Sequence, residues 1–135
     1  MSEQIYSVLI VDDESEVRAA LARALRFAGW RTQTAIDGQQ AMQVLNTANF
    51  DVVISDFDMP GMNGLTLLQK VRLTQPGTVR VLLTGRADIQ IASRALNEGA
   101  AHRFFIKPWS QIDIAGTLAL AVRSLGHRVA APQGA

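Results

Sequence analysis

Apolar positions along the chain fall into two kinds of run that take turns. Tyr6 to Val11 is a short run rich in β-branched residues that ends in acids, the pattern of a buried strand. From Glu14 to Ala28 the apolar residues Val17, Leu21, Ala24, Leu25 and Ala28 recur at helical spacing, and Gly29 supplies a stop. Trp30 to Ala35 reads as a second, weaker strand. Gly38 to Asn46 reads as a helix with Ala41, Val44 and Leu45 on one side. Asp51 to Ser55 is a third strand. The following Asp58-Met59-Pro60-Gly61-Met62-Asn63-Gly64 is dense in turn formers and predicts a loop. Leu65 to Leu73 is helical and is broken by Pro76-Gly77. Val79 to Leu83 is a fourth strand. Asp88 caps a helix that runs through Asn97 to an exit at Gly99. His102 to Ile106 is a fifth strand, and Ser110 is the expected cap of a last helix reaching about Leu125.

Strands that alternate with helices imply crossover connections and a parallel sheet covered on both faces, an α/β doubly wound architecture. Unbroken apolar runs such as Val52-Val53-Ile54 suit strands buried on both sides. Sheets of this kind place ligand sites beyond the carboxyl ends of their strands. The stretch 127–135, with Pro, Gly and small residues, predicts a frayed, flexible tail, leaving one domain over residues 5–126.

Composition removes several alternatives. The chain has 135 residues, which suits one domain, and 48% are hydrophobic, enough for a core. A formal charge of +1 and the lack of any Lys/Arg block give no argument for nucleic acid. With no cysteine, disulfides, thiolate metal sites and Cys nucleophiles are excluded. The start, Met1-Ser2-Glu3-Gln4, does not read as a signal peptide, and no window approaches a membrane span, so a cytoplasmic protein is expected.

The polar residues that end the strands carry the chemistry. The first strand ends in Asp12-Asp13, the third in Asp56, the fourth in Thr84 and the fifth in Lys107. In a parallel sheet these ends share one edge, so carboxylates, a hydroxyl and an ammonium converge. Clustered carboxylates repel and need a counter-charge. An all-oxygen ligand set points to a hard divalent cation; Mg²⁺ suits it, with Mn²⁺ as a substitute. Lys107 adds more positive charge than a carboxylate-bound cation requires, and a phosphoryl group held between metal and ammonium accounts for both. A carboxylate can itself attack phosphorus to give an acyl phosphate.

Four stretches together resemble the receiver domains of bacterial two-component systems. They are Val8 to Glu14, Val53 to Gly64, Leu82-Leu83-Thr84-Gly85 and Phe104-Phe105-Ile106-Lys107-Pro108. The resemblance implies a flavodoxin-like fold with strand order 2-1-3-4-5. It implies that Asp56 is the phosphoacceptor. Asp13, Asp56 and the backbone carbonyl of Asp58 would bind Mg²⁺ directly, and Asp12 through a water. Lys107 and Thr84 would hold the phosphoryl group, and Thr84 with Phe104 would form the switch. The face of the fourth helix, fifth strand and fifth helix would then be remodelled for a partner, or used for homodimerisation. Asp58 and Arg86, each two residues beyond a site residue, are read as tuning hydrolysis, and a pair between them over the site is expected. The donor would be a sensor histidine kinase or phosphotransfer protein. Trp109 after Lys107-Pro108 is similar to a subgroup often joined to HD-type phosphodiesterases or histidine kinases. This chain carries no such domain, so it is a stand-alone regulator or a piece of a longer protein. The resemblance implies a switch with no catalytic turnover.

Other readings compete. A phosphatase of the haloacid-dehalogenase kind also uses Asp, Mg²⁺, Thr and Lys, with an acid two residues after the nucleophile, as in Asp56-Phe57-Asp58. That class places its nucleophile on the first strand and needs a cap. A receiver used only as a scaffold would not need all its site residues. Phe104 can equally be static core, Phe105 is expected in the core of the opposite face, and His102 and His127 are expected to be solvated.

Overall fold

The computed structural model describes residues 5–107 and 113–126. Within them the elements run β1 (Ser7–Val11), α1 (Ser15–Phe27), β2 (Arg31–Ala35), α2 (Gly38–Leu45), β3 (Val52–Asp56), α3 (Gly64–Thr74), β4 (Val79–Thr84), α4 (Ile89–Asn97), β5 (Arg103–Ile106) and α5 (Ile114–Ala121). A 3₁₀ turn, Arg86–Asp88, leads into α4, and a π-helical turn, Val122–Gly126, follows α5. The strands form one sheet in the order β2-β1-β3-β4-β5, every neighbouring pair parallel, as the alternation implied.

Two cores sandwich the sheet. Val8, Ile10, Val52, Ile54, Val81, Leu83 and Phe105 meet Leu21 and Leu25 of α1 and Ile114 and Leu118 of α5. On the other face Leu9, Val11, Val53 and Leu82 meet Ala41 and Leu45 of α2, Leu67, Leu68 and Val71 of α3, and Ala92 and Ala95 of α4. The period of two along each strand sends successive side chains to opposite faces, so both faces must be apolar. β3 and β4 are buried along their whole length, whereas edge strand β2 exposes Arg31, Gln33 and Thr34. Phe105 lies in the core of the α1/α5 face, as expected.

Helix ends follow local chemistry. At the end of α1 the N–H of Trp30 bonds the carbonyl of Leu25 and that of Gly29 bonds Arg26, with Gly29 at φ 96°. This paired closure requires a left-handed residue, which glycine adopts without a side-chain clash. Asp37, Asn63 and Asp113 cap α2, α3 and α5 by accepting a backbone N–H three residues on. α5 therefore starts from Asp113; Ser110, expected as its cap, lies outside the described residues, as do Trp109, His127 and the tail 127–135.

Candidate functional site

The parallel register brings the polar strand ends to one edge. Val11 pairs with Ser55, Asp56 with Leu83 and Thr84 with Ile106, so Asp12, Asp56, Thr84 and Lys107 sit level. Backbone bonds past the ladder keep them level: Phe57 N–H to the Leu83 carbonyl and Lys107 N–H to the Thr84 carbonyl, both 2.8 Å, and Asp12 N–H to the Ala35 carbonyl, 3.2 Å.

Lys107 reaches into the gap between β1 and β3. Its Nζ stands 3.1 Å from Asp56 Oδ1, 3.4 Å from Asp12 Oδ2 and 3.7 Å from Glu14 Oε1. These are the ion pairs found among the described residues, so one ammonium is shared among three carboxylates. Asp12 is fully buried and Asp56 is 4% exposed, whereas Asp13 and Glu14 are exposed.

This charge balance leaves the buried acids under strain. Burial, then the charge of Asp12, pushes the Asp56 carboxyl up to about 6 against the pull of Lys107. Burial also raises Asp12, opposed by the Glu14 N–H at 2.9 Å on its Oδ1 and by Lys107. For Lys107, burial works to lower its value, but the hydrogen bond and charge of Asp56, with Asp12 behind them, outweigh it and raise it. Carboxylate oxygens of Asp12, Asp13, Glu14 and Asp56 all lie within 4.8 Å of one another. Four hard oxygen donors, two of them desolvated and short of positive charge, fit a divalent cation. Glu14 was not among the residues singled out by sequence. The signal was present, because it extends the Asp12-Asp13 run, but its position at the N-cap of α1 masks any second role.

The remaining expected site residues are placed unevenly. Thr84 is buried at the edge, with its hydroxyl donating to the Gly85 carbonyl at 3.2 Å. Phe104 is half-buried and packs on the core shared with α4. Asp58 and Arg86 are both exposed and form no ion pair with each other, which corrects the expected pair over the site. Both lie on turns outside the regular elements, where nothing desolvates them enough to favour pairing over water. His102 is also corrected: it is half-buried, and its Nδ1 accepts the backbone N–H of Arg80 at 2.9 Å.

Comparison with known proteins agrees with this edge. The family model for the response regulator receiver domain matches residues 8–119. The DNA-binding transcriptional regulator NtrC of Klebsiella pneumoniae is 36% identical over 118 residues, 87% of this chain and 24% of that protein. The chain thus spans about a quarter of that relative's length. A solved structure described as adenylate cyclase from Rhodopirellula baltica has a TM-score of 0.90 at 31% identity, covering 97% of this chain and 96% of that one. The signal receiver domain of an HD domain-containing protein from Pseudomonas fluorescens Pf-5 has a TM-score of 0.80 at 31% identity, with 99% and 96% covered. The response regulator TrrA of Thermotoga maritima, solved in complex with Mg²⁺ and BeF, has a TM-score of 0.75 at 27% identity, with 85% and 97% covered. The chain belongs to the response regulator receiver domains, the phosphoacceptor switches of two-component systems. Among the described residues no helix is long and apolar enough to cross a membrane.

Proposed function

We propose that Asp56 is the phosphoacceptor, and that a carboxylate oxygen of Asp56 attacks the phosphorus of a phosphohistidine on a partner kinase or phosphotransfer protein. The P–O bond forms as the P–N bond breaks, and the leaving imidazole takes a proton. The convergence of Asp12, Asp13, Asp56 and Lys107 on one sheet edge carries this reading. A carboxylate raised to about 6 is still largely ionised at neutral pH, yet more basic, hence more nucleophilic, than an ordinary one. Asp12, Asp13, Asp56 and the Asp58 carbonyl would hold Mg²⁺, which when bound neutralises the carboxylates and the charge gathering on the phosphoryl oxygens. Lys107 offers its ammonium to the same oxygens. Thr84 turns its hydroxyl from Gly85 to the phosphoryl group, and Phe104 follows, so the α4, β5 and α5 face changes.

The acyl phosphate on Asp56 then loses its phosphoryl group to water, at a rate that Asp58 and Arg86 set separately from their exposed positions. The domain therefore turns over no substrate of its own. The downstream partner is an effector or an output domain; the receiver likeness to an HD domain-containing protein supports an HD-type phosphodiesterase as one candidate. The test is an amide NMR titration with beryllofluoride and Mg²⁺. Saturable shifts at Asp56, Thr84 and Phe104 are expected, absent with either component alone. No shift with both would refute the reading.

A further inference from the structure

Among the described residues the Asp13 carboxylate takes part in no hydrogen bond or ion pair, although one of its oxygens lies within 4.8 Å of a carboxylate oxygen from each of Asp12, Glu14 and Asp56. Lys107 pairs with those three and not with Asp13. Asp13 is also exposed, so packing does not fix its side chain. Its place at the edge depends on the backbone around it. That backbone is tied at three points. The Asp12 N–H donates to the Ala35 carbonyl at 3.2 Å. The Glu14 N–H donates to Asp12 Oδ1 at 2.9 Å. The third tie comes from α1: Arg18 Nη1 donates to the Asp12 carbonyl at 2.8 Å. Asp12 is fully buried, and no backbone N–H reaches its carbonyl among the described residues. Without Arg18 that carbonyl is a buried acceptor left unpaired, and the peptide it belongs to, which leads into Asp13, is free to turn toward water.

Arg18 closes the first turn of α1. Helical side chains lean back toward the N-terminus, so a long one at this position lies over the loop that precedes the helix. Val17 beside it packs against the α1/α5 core and anchors the turn from which Arg18 reaches. The helix dipole disfavours a cation here. The acids of the Asp12–Glu14 run stand next to it, yet half-buried Arg18 has no carboxylate within ion-pair distance among the described residues. A guanidinium that bonds a backbone oxygen in the company of carboxylates is placed by geometry more than by charge, and its bond is of the strong, charge-assisted kind.

We propose that Arg18 is a positioning residue for the cation site: by holding the Asp12–Asp13 peptide from α1, it keeps the Asp13 carboxylate at the Asp56 edge. This rests on the reading that a divalent cation binds among those carboxylates. Arg18 acts through Asp13 and touches neither the ion nor the phosphoryl group. Its own charge works against the same ion, so geometry and charge predict opposite signs. If charge alone matters, removing the guanidinium relieves repulsion and tightens cation binding. If the tie matters, removing it loosens Asp13 and weakens binding.

An amide NMR titration of the whole chain with Mg²⁺ alone, read at Asp13 and Asp56, decides between them. Arg18→Met is expected to raise the Kd for Mg²⁺ about tenfold, the usual cost of removing a group that orients a metal ligand. Arg18→Lys keeps the charge but gives up the planar fork, and is expected to raise it about threefold. Arg23→Met, which removes an exposed cation from the same helix, is expected to leave the Kd unchanged. A Kd that is tighter or unchanged in Arg18→Met would overturn the role. Should that variant fail to fold, an unchanged Kd in Arg18→Lys would overturn it. In the ion-free protein, exchange of the Glu14 N–H should quicken several-fold in Arg18→Met. Unaltered exchange would show that the loop stands without the tie, and would also overturn the role. If the wild type shows Mg²⁺ shifts but the Arg18 variants bind equally well, the site reading stands and Arg18 alone is rejected. If the wild type shows no shift at Asp13 or Asp56, the site reading fails and the positioning role with it.

Discussion

Gly64 opens α3 directly against the backbone of Asp56: a Cβ placed on it would stand 2.9 Å from the Asp56 carbonyl carbon and 3.0 Å from Phe57 Cα. The Gly64 N–H also donates to the Phe57 carbonyl at 2.9 Å. The helix thus backs the acceptor strand tip with no room for a methyl group. Gly64→Ala should cost about 1–3 kcal/mol, the usual range for overpacking against atoms that cannot yield. Urea denaturation measures the cost. Acetyl phosphate labelling should slow beyond what that loss of folded protein explains, because Asp56 itself must shift.

Charge crowding at the edge gives a second prediction. Without Mg²⁺, Asp56→Asn removes one of two buried carboxylates sharing one ammonium, and should stabilise the fold at pH 7 by about 1–3 kcal/mol while abolishing labelling. A urea midpoint that falls in this variant would show that Lys107 already satisfies Asp56.

Removing the ammonium should do the reverse. Lys107→Met leaves Asp12 and Asp56 without their cation and should destabilise by about 2 kcal/mol, less than a fully buried pair because the Lys107 side chain is 25% exposed. Mg²⁺ at a hundred times its Kd should return about 2.7 kcal/mol, and chelator should remove that gain. Thermal melts with and without Mg²⁺ check both halves. A variant indifferent to Mg²⁺ would place the ion elsewhere.

His102 predicts an acid sensitivity far from the site. Burial, then the charges of Arg80, Arg103 and Arg72, lower its ring to about 4. Its neutral Nδ1 accepts the Arg80 N–H, a bond the protonated ring cannot accept. The folded value lies below the unfolded one, so the unfolded state binds the proton first. The stability is full above about 6.5 and is lost as pH falls from there to about 4, by about 2–3 kcal/mol. Asp12 and Asp56 drift the opposite way, since raised carboxyls favour the folded state on acidification. The comparison that isolates His102 is wild type against His102→Gln at pH 7 and pH 4.5. The stability gap should shrink at the lower pH; a constant gap would refute the coupling.

What the sequence shows of this molecule follows from period and position. Alternating runs imply the parallel sheet, and in such a sheet the ends of runs share an edge, so Asp12, Asp56, Thr84 and Lys107 could be placed together before any coordinates. Arg80 and His102 could not. Both sit near the start of strands, where sequence alone suggests solvated ends, and their mutual bond depends on the β4–β5 offset, which no periodicity encodes. Glu14 was hidden because a helix-entry acid is common without a second role. Asp58 and Arg86 each neighbour the site in sequence, but turn residues take their directions from local backbone, and theirs do not meet in an ion pair.

The most direct measurement is peptide mapping by mass spectrometry after treating the whole chain with acetyl phosphate and Mg²⁺. One phosphoryl group per chain should appear, on the peptide containing Asp56, acid-stable enough to survive analysis but released by hydroxylamine, and absent from Asp56→Asn. A phosphoryl group on another residue, or none in the folded wild type, would contradict the account.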